Sequence, residues 1–375
     1  MGVKGIVARL ATGRIHVFIL EIPGHLMLRM QVEASIAARG WVLAEAPADA
    51  DVLLIVGEAP DAFIEIADGV WNQIPSPRHR TSVAAVAAIS ETLDAVPAVL
   101  RDEQQQSRDA RQRPQHVIGG SAESEHSDGS DSSGDGHGDG AMDMEGMDMG
   151  MDMDMSGPAG IPLASGDESD RDGLEMDIIH LTLGPVLPDW PAGLVVHCTL
   201  HGDVIGDAAM EFLPGTGTNK SLDAIPAGLP AGPTTRAAML CDAAGYLLAV
   251  AGWETVALKV RRIRDGLITG NAPEQMAVRL SRVYRQLERS RTLRWSLAGI
   301  PKAVDIGART VLLGWLESAA AHLAEGELEP DGSVWPASLE DVRTALLGQE
   351  LSVARLIVAC VEPSRIAELS GAVHG

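Results

Sequence analysis

Residues 172–212 read DGLEMDIIHLTLGPVLPDWPAGLVVHCTLHGDVIGDAAMEF, and the organisation of the chain follows from them. Two β-rich runs, Met176 to Leu183 and Leu194 to Leu200, flank a turn carrying Gly184, Pro185, Pro188, Pro191 and Gly193. Branched apolar side chains pack well on a pleated surface, whereas Gly and Pro set turn backbone and weaken strands. Gly202-Asp203 opens a third short run, so the stretch predicts a small antiparallel sheet.

Downstream, Pro214 to Pro233 is a Gly/Pro-rich connection, and helical patterning begins at Thr234. A first helix is expected over Thr235 to Asp265, with Leu240, Leu247, Val250 and Ala251 on its apolar side and Lys259, Arg261, Arg262 and Arg264 suiting its C-terminal dipole. Asp242 and Glu254 interrupt that apolar run; such carboxylates stand either at the polar seam or beside a cationic partner, and with arginines abundant on the next helix a structural ion pair is expected, a proton-transfer role being the alternative. The second helix is expected to cap at Asn271 and carry Pro273 in its first turn. On it Met276, Leu280, Val283 and Leu287 form an apolar stripe, and Arg279, Arg282, Arg285 and Arg289 line another face. A third helix is expected over Val304 to Leu323. A fourth opens with a capping box at Ser338-Leu339-Glu340-Asp341 and breaks or kinks near Gly348.

Upstream, residues 15–100 read as an α/β unit. Ile15 to Leu20, Trp41 to Glu45 and the continuous run Asp51 to Gly57 are strands, with helices over Leu26 to Ala38 and Ala62 to Asn72. An unbroken β-branched run is the mark of a strand buried on both faces in a parallel sheet. Ligands of such sheets sit at the C-terminal strand ends, here Glu21-Ile22-Pro23-Gly24-His25 and Glu58-Ala59-Pro60. From Ser82 to Arg111 one or two surface helices are expected, interrupted at Pro97.

Residues 112–170 lose periodicity. Eleven acids and no Lys or Arg fall within 121–156, so nearly half of the net charge of −23 is concentrated there. Such composition cannot offset ordering entropy, and a disordered linker is expected. Its segment AMDMEGMDMGMDMDM carries Met142, Met144, Met147, Met149, Met151, Met153 and Met155, with His126 and His137 upstream. Thioethers and imidazoles suit soft cations such as Cu(I), which opens a metal-handling alternative, copper or nickel, beside a plain acidic spacer.

The acidic balance excludes nucleic acid as a partner, since counterion release needs basic surface. No transmembrane segment is expected, because Asp242 and Glu254 split the longest apolar run; no secretory signal is read, and a cytoplasmic location is expected, with membrane association only through partners. Cys198, Cys241 and Cys360 stand far apart with no CxxC, a pattern of buried small hydrophobes rather than of cluster or zinc ligands. His180, His197 and His201 admit two readings, a zinc site or the solvent face of a half-covered sheet. The glycine-rich stretch from Gly215 to Ser221 lacks phosphate-loop spacing and reads as a loop.

The order Leu183-Gly184-Pro185, Pro188, Gly193, a β-run to Leu200, Gly202-Asp203-Val204-Ile205 and Ala208 resembles the N-terminal hairpin of the large subunit shared by respiratory complex I and nickel-iron hydrogenases. Ala50 to Gly57, with the first strand and its loop, resembles the small cluster-bearing subunit of the same complexes. The resemblance implies a fused chain: an α/β domain (1–111) with a parallel, flavodoxin-like sheet, the linker (112–170), and an α+β domain (171–375) of antiparallel hairpin and helical bundle. It implies also a place among redox-complex subunits. Where the complex I loop carries two quinone-facing histidines, this one reads Val186-Leu187-Pro188-Asp189-Trp190-Pro191-Ala192. Where the small subunit has cysteine cluster ligands, this chain has Ile22, Pro23, Gly24 and His25, with His25 either a substitute ligand or a helix-start residue. The nickel CxxC pairs are likewise missing. The expectation is therefore a non-catalytic accessory component with no cofactor of its own. An NADH-quinone oxidoreductase-type subunit is the remaining alternative. Arg279, Arg282, Arg285 and Arg289 form a cationic stripe with three competing destinations: pairing within the chain with Glu254, Glu288 or the acidic linker, docking of a second subunit with an acidic face, or anionic lipid.

Overall fold

Strands and helices alternate through the N-terminal part: β1 (His16–Glu21), α1 (Leu26–Ala38), β2 (Val42–Leu43), β3 (Val52–Val56), α2 (Asp61–Gln73), β4 (His79–Val83), α3 (Ile89–Leu100) and α4 (Glu103–Gln112). The computed structural model describes residues 14–112, 165–169, 175–215, 232–298, 300, 307–326, 336, 338–366 and 369. The four strands are parallel in the order β2-β1-β3-β4, that of the first four strands of a doubly wound sheet. All of β3 is buried because both faces are covered. On one face Leu28, Val32 and Ile36 of α1 and Leu93 and Val96 of α3 pack against Val17, Val52, Leu54 and Val56. On the other, Phe63, Ala67 and Val70 of α2 meet Phe18, Leu20, Leu53 and Ile55. Each such large aliphatic or aromatic side chain contributes about 1.5–3 kcal/mol by leaving water.

Two expectations need correction here. Ser82 and Val83, expected at the start of a helical stretch, end the edge strand β4 instead, whose residues 79–81 carry no expectation; an edge is half solvated and tolerates polar side chains. The helix α3 also runs through Pro97, and the break comes at Asp102, whose Oδ1 accepts from the amides of Gln104 and Gln105.

The described residues between 114 and 179 belong to a unit of their own. Its described part is β5 (Ser165–Ser169), antiparallel to the start of β6 (Glu175–Leu183) with Ser169 opposite Glu175 and Ser165 opposite Ile178. Thus 165–169, expected to belong to a disordered linker, are a strand. The rest of that stretch, including Met142, Met144, Met147, Met149, Met151, Met153, Met155, His126 and His137, lies outside the described residues.

The described parts of 1–113 and 180–375 make up a single unit. In it the end of β6, then β7 (Leu194–His201) and β8 (Val204–Phe212), build the antiparallel sheet. Helices follow: α5 (Pro233–Val250), α6 (Glu254–Ile268), α7 (Pro273–Glu288), α8 (Arg291–Ser296), α9 (Ala308–Glu325), α10 (Leu339–Leu346) and α11 (Leu351–Ala359). The single helix expected over 235–265 is a hairpin of two, reversing at Gly252 with φ 78°. Alanines 237, 238, 243 and 244 are buried on α5, small enough for α6, α9 and α11 to approach it closely. Ala272, rather than Asn271, occupies the N-cap position of α7. The Ser338/Asp341 capping box forms as expected, and the chain breaks at Gly348, where Gly348 N donates to Ile205 O (2.8 Å) and fastens the helices to the edge of β8. Cys198, Cys241 and Cys360 are buried free thiols. No helix among the described residues is long and apolar enough to cross a membrane.

Candidate functional site

In a doubly wound sheet the crevice opens where successive connections leave to opposite faces, here between the C-terminal ends of β1 and β3. After Glu21 the chain turns through Ile22-Pro23-Gly24 and enters α1 at His25, with Ile22 N donating to Val56 O (2.9 Å). His25 occupies the N-cap position without a side-chain capping bond. Its ring lies on Gly57, so close that a Cβ at 57 would stand 2.6 Å from Nδ1. That contact, and a φ of 108°, require glycine there. The Nδ1 atom is buried without a hydrogen-bond partner. His25 thus packs over the strand end, neither exposed nor capping the helix.

The hairpin loop closes the same edge. Gly193, at φ 78°, has no room for a side chain: a Cβ would meet Pro23 Cγ at 2.5 Å and Leu213 O at 2.6 Å. Val186 and Leu213 pack against the core under α2. Trp190 is buried and donates from Nε1 to Leu194 O (2.7 Å), while Asp189 pairs with Arg261 of α6 and Pro188 O accepts from Arg355 Nη2 (3.2 Å).

Beside this closed edge lies a buried ionic network that joins α1 to α5 and α6. Arg29 and Glu33 are one turn apart on α1 and both buried. Arg29 reaches Glu33 Oε1 (2.5 Å), pairs with Asp242 of α5, and lies with Nε 2.8 Å from Glu21 Oε2 as an ion contact without aligned hydrogen-bond geometry. Arg264 of α6 reaches Glu33 Oε2 (2.7 Å), Asp242 Oδ1 (2.5 Å) and Asp265 Oδ1 (2.7 Å). Tyr246 of α5 receives Arg29 at 5.2 Å and Arg261 at 5.9 Å from its ring centre, within cation–π range. Asp242 and Arg264 are each only 1% exposed.

The network holds five carboxyl groups, Glu21, Glu33, Asp189, Asp242 and Asp265, against three guanidinium groups, Arg29, Arg261 and Arg264. Burial would raise the Glu33 carboxyl, but Arg29 and Arg264 outweigh it and bring the pKa from 4.5 down to about 2. At Glu21 burial prevails over Arg29, Asp242 and Glu33 add repulsion, and the pKa rises from 4.5 to about 7. Burial also raises Asp189 and Asp265, each partly offset by its arginine. Arg29 and Arg264 lose solvation, yet the surrounding carboxylates hold both firmly charged. One proton at Glu21 therefore relieves part of the negative excess at neutral pH. The arrangement can take up and release a proton while it clamps the two halves together.

Of the sequence-derived candidates, Asp242 has its cationic partners, though from α1 and α6 rather than from the helix at 273–288. Glu254 instead stands in the first turn of α6. The hairpin histidines have separate protein partners: His180 Nδ1 meets Thr199 Oγ1 (3.2 Å), His197 Nδ1 meets Thr182 Oγ1 (3.1 Å), and the His201 ring lies against Gly206. No three His, Cys, Asp or Glu side chains gather as a metal cage among the described residues. Arg279, Arg282, Arg285 and Arg289 are exposed and make no ion pair with the network. Sequence reasoning missed Arg29 and Glu33; their i, i+4 spacing inside a largely apolar helix was the available signal. A surface depression of about 450 Å³ on α4, lined by Glu103, Gln104, Ser107, Arg108 and Arg111, involves none of these groups. Compared with protein-family models, curated proteins and solved structures, the chain has no match.

Proposed function

We propose that this chain is a non-catalytic structural component of a complex-I-like or hydrogenase-like redox assembly, a fused small-subunit-like and large-subunit-like scaffold. The observation carrying the proposal is the filled ligand edge of the parallel sheet: Pro23 against Gly193, and His25 on Gly57. A sheet that binds at its strand ends keeps that crevice open, whereas this one uses it for packing between its own segments. The element order supports the ancestry, with a parallel sheet, a Gly-Pro hairpin and a helical bundle in sequence, and the cysteine-free β1 loop supports the loss of a cluster.

Two measurements test it. Anaerobic reconstitution of the purified chain with iron and sulfide is expected to leave no protein-bound cluster absorbance. Native electrophoresis of source-cell extracts is expected to place the chain in a multi-subunit oxidoreductase particle. A stoichiometric cluster on this chain, or migration of the chain alone, overturns the reading.

A further inference from the structure

Residues 275–298, covering most of α7 and all of α8, contain six arginines and a single acid, Glu288, in a chain whose net charge is −23. Met276, Leu280, Val283 and Leu287 turn inward and are buried, so Arg279, Arg282, Arg285 and Arg289 face solvent, and Arg291 and Arg294 continue the exposed basic surface on α8. None of the six forms an ion pair among the described residues; Arg285 donates from Nε only to Ser281 O (3.1 Å). In the same run of residues Trp295 is 81% exposed on α8, and Val278 is 51% exposed beside Arg279 on α7.

We infer that the Arg279–Trp295 surface docks a folded partner subunit that presents an apolar pocket for Trp295 within an acidic rim. Trp and Arg are the residues most enriched among interface anchors, and a large indole left in water is stabilised by a pocket rather than by charge alone. Six unpaired cations on an acidic protein select carboxylate-bearing surface and steer its approach. The two helices measure about 24 Å and 9 Å along their axes, the scale of one side of a standard interface. The acidic tract of this chain, 121–156, offers carboxylates but no aromatic or branched apolar residue to build such a pocket. An anionic bilayer would have to overcome repulsion from the rest of the chain with only one aromatic anchor. This inference rests on the reading of the chain as an assembly component and names the face through which it assembles.

Photo-crosslinking in source cells, with benzoylphenylalanine placed at Trp295 or Val278 of the full chain, tests it. The expected adduct is a protein whose crosslinked surface is acidic. Once that protein is purified, its affinity should fall about thirtyfold for Trp295→Ala. Replacement of Arg279, Arg282, Arg285 and Arg289 by Gln should lower it at least tenfold, with loss of the salt dependence, as expected for several partly exposed pairs. Crosslinks to residues 121–156, crosslinks to lipid, or none at all overturn the inference, as does an affinity insensitive to both substitutions and salt. Binding of the purified chain to phosphatidylcholine/phosphatidylglycerol vesicles through the same arginines would also overturn it. If the chain sits in an assembly yet crosslinks from neither position, the surface is wrong and the scaffold reading survives; if the chain migrates alone, the scaffold reading itself falls.

Discussion

Replacing Glu21 by glutamine removes the group whose titration unbalances the buried network, and the effect on stability has a definite sign. In the folded chain this carboxyl has a pKa of about 7, above the 4.5 of an unperturbed glutamate. Between those values the native state binds more protons than the unfolded state, so Glu21 lowers stability as pH rises through the interval. A difference of about 2.5 in pKa, at about 1.4 kcal/mol per tenfold change in acidity, gives roughly 3 kcal/mol lost between pH 4.5 and pH 8. Glu33 acts in the opposite direction: its pKa is about 2, so its contribution is complete above 4.5 and is lost as pH falls toward 2. The combined contribution of these two groups is therefore greatest near pH 4.5. Glu21→Gln should match the native sequence at pH 4.5 and exceed it by about 3 kcal/mol at pH 8, with the downward slope above pH 5 removed. Urea unfolding at a series of pH values measures this as a shift in midpoint at constant slope. Parallel pH profiles for the two proteins, or a glutamine variant less stable at pH 8, would refute the assignment of an uncompensated carboxyl at position 21.

The same network makes Arg29 the most sensitive link between the halves. Arg29→Met leaves Asp242 and Glu33 short of a cation and should cost about 3–5 kcal/mol. Separately expressed polypeptides 1–113 and 175–375 should therefore co-purify when native and separate when they carry this change. The thiols of Cys241 and Cys360, pushed up to about 12 by burial, should resist a disulfide reagent in the folded chain and react only on denaturation. Gly57→Ala should destabilise by about 1–3 kcal/mol through overpacking against His25. A double substitution adding His25→Ala should cost less than the two single changes together, and strict additivity would show that the ring does not limit space at residue 57.

Legibility from sequence followed the type of interaction involved. β3 stood out because a doubly covered strand is apolar throughout, β1 because its middle is, and the Gly/Pro-punctuated hairpin because turn geometry is encoded locally. β4 was hidden because an edge strand needs little apolar content. The reversal at Gly252 was hidden because apolar residues continue through it and one glycine is tolerated inside a helical pattern. The network was half visible. Asp242 announced a need for cations, but Arg29 lies 213 residues away in sequence, and no local periodicity encodes a partner at that distance. Arg264 read as a helix-end cation, whereas the hairpin of α5 and α6 carries it back alongside Asp242.

The long sequence separation between Arg29 and Asp242 also bears on biosynthesis. At about 5–20 residues per second, roughly 10–40 s pass between synthesis of the one and of the other. Throughout that time α1 belongs to an N-terminal sheet whose outer covering has not yet left the ribosome. An apolar helix face awaiting α5 and α6 would be adhesive to other nascent chains, whereas Arg29 and Glu33 stay hydrated and can satisfy one another across a single turn. The charges that are costly to bury in the finished protein are thus ones that water and each other can satisfy before α5 and α6 arrive.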